Sequence, residues 1–335
     1  MKSNFNIITT TGFGATGSSA ISHIISEFDN VKSYGSIEFW LLQDLHGISD
    51  LEYFLNEGNH RSKTFVAIRN FEKLVKKKNK FYSKYFPNFE EIASEYISQL
   101  KTVSFKKALH PFEYEQSFLL RNFVKIYFKL QSIKHHIFSP NDELILKLPS
   151  NEKHHFTQEI GHFHNLTKSF TDKLFKSIIF DKKHNHLMID QLVPASNISR
   201  YYNYVNNLKV IVVDRDPRDI FLLNKLRWKG TPVLCETDDL DVFINWYSSI
   251  RYNSSLGDNT EVLRINFEDL VYQYEETLEK LINFCNLDKS AHKLKGSFFS
   301  PEASKVNTKL WENYNKYKSE ISIIEKRLNK YCYKY

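Results

Sequence analysis

The chain has 335 residues and a mass of 39.7 kDa, with 41% hydrophobic, 15% aromatic and 25% charged residues, which is ample apolar material for one large or two moderate folded units. Ten glycines and eight prolines exclude a collagenous or linker-like chain. Lys and Arg number 46 against 39 Asp and Glu, giving +7 and a pI near 9.0, an excess that suits an anionic ligand and falls short of a nucleic-acid-binding surface.

Cys235, Cys285 and Cys332 are widely separated and in no CxxC spacing, so neither a disulfide framework nor a zinc site is expected, and a reducing, cytoplasmic setting fits. The chain enters an apolar, β-branched run within a few residues of Met1. Nowhere does it reach the ~18 uninterrupted apolar residues of a membrane span, so no leader or span is expected.

In chain order, FNIITTT from Phe5 to Thr11 reads as a strand and Ser18 to Phe28 as a helix, joined by a glycine-bearing turn. Between residues 48 and 180 the pattern is mostly helical: DLEYFL, Lys63 to Lys78, Phe89 to Lys107 and Phe112 to Ile133. ELILKL at 143–148 reads equally as an edge strand or a loop. Beyond 180, HLMID at 186–190, LKVIVVD at 208–214 and EVLRI at 261–265 are short apolar runs between helical patterns, the signature of a parallel sheet with crossover helices. VIVV lacks alternation, as a strand buried on both faces should. Trp311 to Tyr335, with Ile321, Ile324, Leu328 and Tyr331 on one face, reads as a closing helix. The expected fold class is α/β, a three-layered parallel sheet flanked by helices, built from residues 1–47 and 181–335, with residues 48–180 as a large helical insert.

Two segments carry chemistry. Gly12-Phe-Gly14-Ala15-Thr16-Gly17-Ser18-Ser19 lies between the first strand and helix, where exposed N–H groups and the helix dipole can hold a phosphate. It fits G-x-x-x-x-G-x-[ST], but Ser18 stands where a Walker loop has its lysine, which weakens an ordinary kinase or ATPase reading. A tight turn opening a helix would use the same glycines. The second segment, Val210 to Asp219, is a buried strand ending in Asp-Arg215-Asp-Pro-Arg-Asp, with Pro217 opening a helix. Arg215 would stand at the strand's carboxyl end, where open α/β sheets bind ligands and a guanidinium grips phosphate bidentately. Pairing within a surface charge network is the bland reading.

Together, in order and separation, these segments resemble the sulfotransferases that use 3'-phosphoadenosine 5'-phosphosulfate (PAPS), glycan-modifying and bacterial members above all. Gly17-Ser18-Ser19 matches the end of the family's loop for the 5'-phosphosulfate, and Arg215-Asp-Pro-Arg-Asp219 its segment for the 3'-phosphate. Asn266-Phe-Glu-Asp-Leu270 is similar to the Tyr-Glu-Asp-Leu run, and Ser304-Lys305-Val-Asn307-Thr-Lys-Leu-Trp311 to the late loop over the nucleotide. The resemblance covers about residues 5–40 and 186–335 and implies a P-loop-like fold. It also implies PAPS as donor with 3'-phosphoadenosine 5'-phosphate (PAP) as product, and no metal. The acceptor it implies is a carbohydrate hydroxyl of a cell-surface glycan or its precursor; the helical insert, residues 48–180, lies outside the resemblance and is expected to be the acceptor-binding subdomain. Glu38, in Ser36-Ile-Glu-Phe-Trp40, lies at the distance of the family's base, a role the chemistry requires because a sugar hydroxyl must lose its proton as it attacks sulfur. Asp190-Gln191 falls where related enzymes place polar catalytic residues. A dipole-favoured glutamate at a helix start, or a capping aspartate, are the structural alternatives.

Three positions depart from the pattern: Ala15 where the loop usually has Lys or Arg, Leu223 with Asn224 beside it where a serine usually completes the 3'-phosphate site, and Gln191 where heparan-type members have lysine. In-line transfer depends on positioned charge, so Lys305, Lys309 or Arg218 would have to substitute. Two rival readings follow: a catalytically weak or inactive nucleotide- or glycan-binding homologue, and a phosphotransferase with Asp214 as a magnesium ligand. The paired histidines, 135–136, 154–155 and 162 with 164, match no metal spacing. His110 is a minor acceptor-site candidate. Lys76–Lys80 reads as a solvated basic face that an acidic polysaccharide would also attract, and Phe81, Tyr82, Tyr85, Phe86 and Phe89 as core.

Overall fold

The structure is a computed structural model and describes residues 5–57, 63–106, 118–146, 153–156, 160–178, 181, 183–227 and 235–335. The chain forms two compact units, one of Met1–Asp44 with Thr167–Tyr335 and one of Leu45–Leu166, so the division falls at 44/45 and 166/167.

The first unit opens with β1 (Asn6–Gly12), α1 (Ser18–Ser26) and β2 (Val31–Glu38). The second contains α2 (Ile48–Asn56), α3 (Lys63–Tyr82), α4 (Phe89–Leu100), β3 (Val103–Lys106), α5 (Phe118–Phe138) and β4 (Lys153–Phe156), and α6 (Ile160–Lys176) carries the chain across the division. The first unit then resumes with β5 (His186–Asp190), β6 (Leu208–Asp214), α7 (Pro217–Leu226), α8 (Leu240–Arg251), β7 (Val262–Asn266), α9 (Phe267–Tyr272) and α10 (Tyr274–Cys285). It closes with α11 (Pro301–Ser304) and α12 (Lys318–Arg327).

Five parallel strands form the sheet in the order β2-β5-β1-β6-β7, with Thr10 opposite Asp190, Gly12 opposite Val213 and Asp214 opposite Asn266. The unbroken apolar run of β6 is explained by burial on both faces. Ile211 and Val213 join Ile8, Met188 and Ile265 against Ile21, Ile24 and Leu281 of the helices, while Ile7, Ile189, Val210 and Val212 are buried on the other face. Each such side chain contributes about 1.5–3 kcal/mol of burial. A second apolar cluster joins Phe221, Phe243, Tyr247, Ile324 and Leu328 of α7, α8 and the C-terminus. The chain is thus α/β, with its loops converging at the carboxyl edge of the sheet.

Three expectations are corrected. Glu38 is not at a helix start but is the last residue of β2, an edge strand whose polar sequence VKSYGSIE carries no apolar run. The closing helix is only Lys318–Arg327, flanked by 3-10 turns at Leu310–Asn313, Asn315–Tyr317 and Asn329–Tyr331, though Ile321, Ile324 and Leu328 are buried as the pattern requires. In the second unit the helix begun at Phe89 stops at Leu100, and β3 pairs with β4 as an antiparallel ribbon.

Within the second unit Tyr82, Phe86 and Phe89 are core, while Lys76, Lys77 and Lys80 are exposed. His154 stacks on Phe65 at 3.9 Å, His155 meets Ser104 Oγ at 2.6 Å, and His164 pairs with Glu52. Among the described residues no group of three or more His, Cys, Asp or Glu is placed to hold a metal. Residues 143–146 form no regular element, and residues 147–148 and His110 lie outside the described residues. No described helix is long and apolar enough to cross a membrane.

Candidate functional site

At the carboxyl edge of β1 the chain turns through Gly12–Gly17 into α1. Gly12 must lack a side chain, since a Cβ there would collide with Thr16 Oγ1 and lie 2.9 Å from the Val213 carbonyl oxygen. Gly17 has φ of 89°, and a Cβ on it would stand 2.5 Å from the Phe267 ring. Ala15 also adopts a left-handed conformation, φ 54°, uncommon for a residue with a side chain. α1 starts without a side-chain cap and without an acidic residue in its first turn, so its N-terminal N–H groups and dipole keep their positive character. Ser18 is held on both sides: Thr10 Oγ1 donates to its carbonyl at 3.2 Å, and Gln191 Nε2 donates to its hydroxyl at 3.0 Å.

Arg215 follows β6 and is 6% exposed. Its Nη1 donates to the Ala15 carbonyl at 3.3 Å, its Nη2 to the Asn307 carbonyl, and its guanidinium carbon lies 4.7 Å from the Phe267 ring centre. Among the described residues its Nε has no hydrogen-bond partner and no carboxylate lies within ion-pair distance. Burial pushes its pKa down, against the opposing pull of the nearby Asp219 and Glu268 charges. A buried guanidinium satisfied only by carbonyls keeps a positive charge to be matched by an anion.

The neighbouring charges are structural. Asp216 caps α7 by accepting from the Arg218 N–H at 2.8 Å, and also accepts from Arg218 Nη2 at 2.6 Å. Arg218 lies 3.9 Å over Trp311. Asp219 accepts the Lys309 and Leu310 N–H groups at 3.1 and 2.8 Å, tying the late loop to α7, and burial pushes its carboxyl up to about 7. Asp214 is held by Arg251, Nη2 donating at 2.7 Å and Nε at 3.0 Å, so its oxygens are engaged. Glu27 accepts the Phe298 and Phe299 N–H groups at 3.0 and 3.1 Å and meets His292 Nε2 at 2.9 Å, fixing the segment that precedes the late loop.

These elements enclose a cleft of about 1280 Å³ within the first unit. Gly12, Gly14, Ala15, Gly17, Ser18, Ser19, Glu38, Arg215, Ser304 and Asn307 all line it. Thr16, Asp190, Asn224 and Lys305 do not line it. Thr16 is buried beneath the loop, Asn224 donates to the Ile220 carbonyl at 2.9 Å inside α7, and Lys305 pairs with Glu302 at 2.5 Å on the surface. Nor do the three suggested replacement cations reach it: Arg218 is spent on Asp216, Lys305 on Glu302, and Lys309 Nζ sits 4.4 Å over Tyr335. Leu223 does face the cleft, and Arg227, one helical turn further along the same face, lines it too. His23 lines it from α1, one turn beyond Ser19. Sequence reading missed Arg227, His23, Trp40 and the Gly296–Ser300 segment; the i+4 spacing of Arg227 from Leu223 and of His23 from Ser19 was the available signal.

Glu38 and Asp190 are register partners at the ends of β2 and β5. Glu38 is exposed to the cleft; Asp190 is 1% exposed. Burial, and next the negative charge of Glu38, push the Asp190 carboxyl up to about 7. The Ser22 hydroxyl and the Gln191 N–H oppose this weakly, neither making a well-aligned hydrogen bond to its oxygens.

No known family model matches the sequence, and no curated protein matches it. Among solved structures the chain is similar to sulfotransferase STF1 from Mycobacterium tuberculosis H37Rv, at 9% identity over 91% of this chain and 76% of that one, TM-score 0.34. It is also similar to sulfotransferase STF9 from Mycobacterium avium, at 11% identity over 86% of this chain and 66% of that one, TM-score 0.34. A retinol dehydratase complexed with retinol and PAP aligns at 10% identity over 100% of this chain and 84% of that one, TM-score 0.32.

Proposed function

We propose that this chain is a sulfotransferase that moves a sulfuryl group from PAPS to a carbohydrate hydroxyl. The observation that carries the reading is Arg215, a buried guanidinium that has no ion-pair partner among the described residues and closes one cleft with the glycine loop and the uncapped start of α1. Such a cleft offers adjoining anion sites, as a nucleotide with both a 5'-phosphosulfate and a 3'-phosphate demands.

On this reading the loop from Gly12 to Ser19 holds the 5'-phosphosulfate and Arg215 the 3'-phosphate. Arg227 takes up the position left open by Leu223, and the His23 imidazole lines the cleft one helical turn beyond the loop that lacks a lysine. The acceptor oxygen attacks sulfur and forms the new S–O bond as the S–O bond to the 5'-phosphate breaks. Its proton passes to Glu38, and PAP leaves with the electron pair. Asp190 is a positioning residue behind Glu38, since it does not reach the cleft. The carbohydrate acceptor is supported by Trp40, 46% exposed on the cleft two residues from Glu38, an aromatic face of the kind sugars stack on.

Ala15 favours one second reading, a PAPS- or PAP-binding homologue with little turnover. The phosphotransferase reading is disfavoured because Arg251 occupies Asp214. The deciding experiment is transfer of labelled sulfate from PAPS to a panel of oligosaccharides and, in parallel, apolar alcohols. A labelled oligosaccharide supports the proposal, labelled apolar alcohols alone overturn the acceptor class, and PAP binding without any product establishes the second reading.

A further inference from the structure

We propose that α5 is a docking helix for an anionic lipid surface, a role independent of the chemistry assigned to the cleft. Along its 21 residues Leu119, Phe123, Ile126, Leu130, Ile133 and Ile137 recur at alternating steps of four and three, and each is between 48% and 80% exposed. At 3.6 residues per turn they form one stripe about 80° wide. The opposite face is the more covered one: Val124 is buried, and Tyr127, Phe128 and His135 are half-buried. The stripe is therefore the face of the helix turned to solvent. So much contiguous exposed apolar surface marks a contact site.

Charge identifies the occupant. From Phe118 to Phe138 there is no Asp or Glu. Lys129 and Lys134 border the stripe on its two sides, with Lys125 and His136 beyond, all exposed. The second unit as a whole has 18 Lys and Arg against 13 Asp and Glu over residues 45–166, which is +5 of the chain's +7. An apolar stripe edged by lysines is what an interfacial helix needs: the stripe enters the acyl boundary while the ammonium groups reach the anionic headgroups. The helix is not apolar enough to span.

A second copy of the chain fits less well. The four-and-three spacing is that of a coiled-coil seam, but the positions flanking such a seam are Lys129, Lys134 and His136. Either parallel or antiparallel self-pairing sets like charge against like charge.

The test is co-sedimentation of the full chain with vesicles of phosphatidylcholine alone and of phosphatidylcholine and phosphatidylserine in equal parts. The chain is expected to pellet with the anionic vesicles and to remain largely in solution with the neutral ones, with binding falling as salt is raised. The double variant I126D/L130D should lower partitioning at least ~10-fold, and K129E/K134E should lower it and remove the salt dependence. Far-UV circular dichroism checks folding; if I126D/L130D fails to fold, the lysine variant and the wild-type salt titration decide. Wild-type chain that pellets with neither vesicle overturns the proposal, as does partitioning unchanged in the variants. A wild-type dimer in light scattering that I126D/L130D converts to monomer also overturns it, assigning the stripe to self-association.

Discussion

Gln191 donates its side-chain amide to the Ser18 hydroxyl at 3.0 Å while its own side-chain carbonyl accepts from Thr11 Oγ1 at 3.2 Å. The end of β5 is thereby tied to the end of β1 and to the first residue of α1. Gln191 pays for this placement with a left-handed backbone, φ 55°, one residue beyond Asp190. In a loop that has no lysine, this amide is what orients Ser18 toward the cleft. Gln191→Ala should weaken binding of PAP about 3- to 10-fold, in line with ~1 kcal/mol for a hydrogen bond of this kind. Isothermal titration of the variant checks it, and unchanged affinity would show the amide to be incidental.

Gly17 meets two constraints at once, its positive φ and the Phe267 ring beneath it. Gly17→Ala should destabilise the fold by ~2 kcal/mol or more, read as a lowered midpoint in thermal unfolding. Gly35 has φ 63° but open space at its Cβ, so Gly35→Ala should cost less.

The buried carboxyl of Asp190 makes stability depend on pH. Its pKa is raised from 3.8 to about 7 by burial, so between these values the unfolded chain releases the proton first and stability falls as pH rises. Asp219, raised to about 7, and Glu268, raised to about 8, add to the same slope. Asp190→Asn removes the charge that must otherwise be buried, and should flatten part of this slope and stabilise the protein at pH 8 by ~1–4 kcal/mol. Thermal unfolding between pH 5 and 8 tests it; a variant less stable than the parent at pH 8 would contradict it.

Glu38 lines the cleft and is exposed to it. Glu38→Gln should therefore abolish sulfuryl transfer, with a loss of ~100-fold or more, while leaving the affinity for PAP unchanged. Retained turnover would remove Glu38 from the reaction.

The strands β1, β5, β6 and β7 were legible because each is a short apolar run, and the loop because its glycines have backbone causes that the sequence displays. β2 was not, since an edge strand beside polar surroundings has no need of an apolar run and Gly35 interrupts it. The position of Arg215 followed from one strand, but the roles of Gln191, Glu27 and Asp219 depend on partners 90 to 272 residues away, which local spacing cannot encode. Arg218 illustrates the converse. Its motif made it a candidate ligand, yet Asp216 two residues before it and Trp311 claim its guanidinium.

Binding of PAP through Arg215 is measured by titrating the protein with PAP, with and without magnesium, alongside the Arg215→Ala variant. Saturable, metal-independent binding is expected in the parent and a loss of ~10- to 100-fold in the variant, the range expected when a charge-assisted contact to phosphate is removed. Absence of binding in the parent, or equal affinity in the variant, would contradict it.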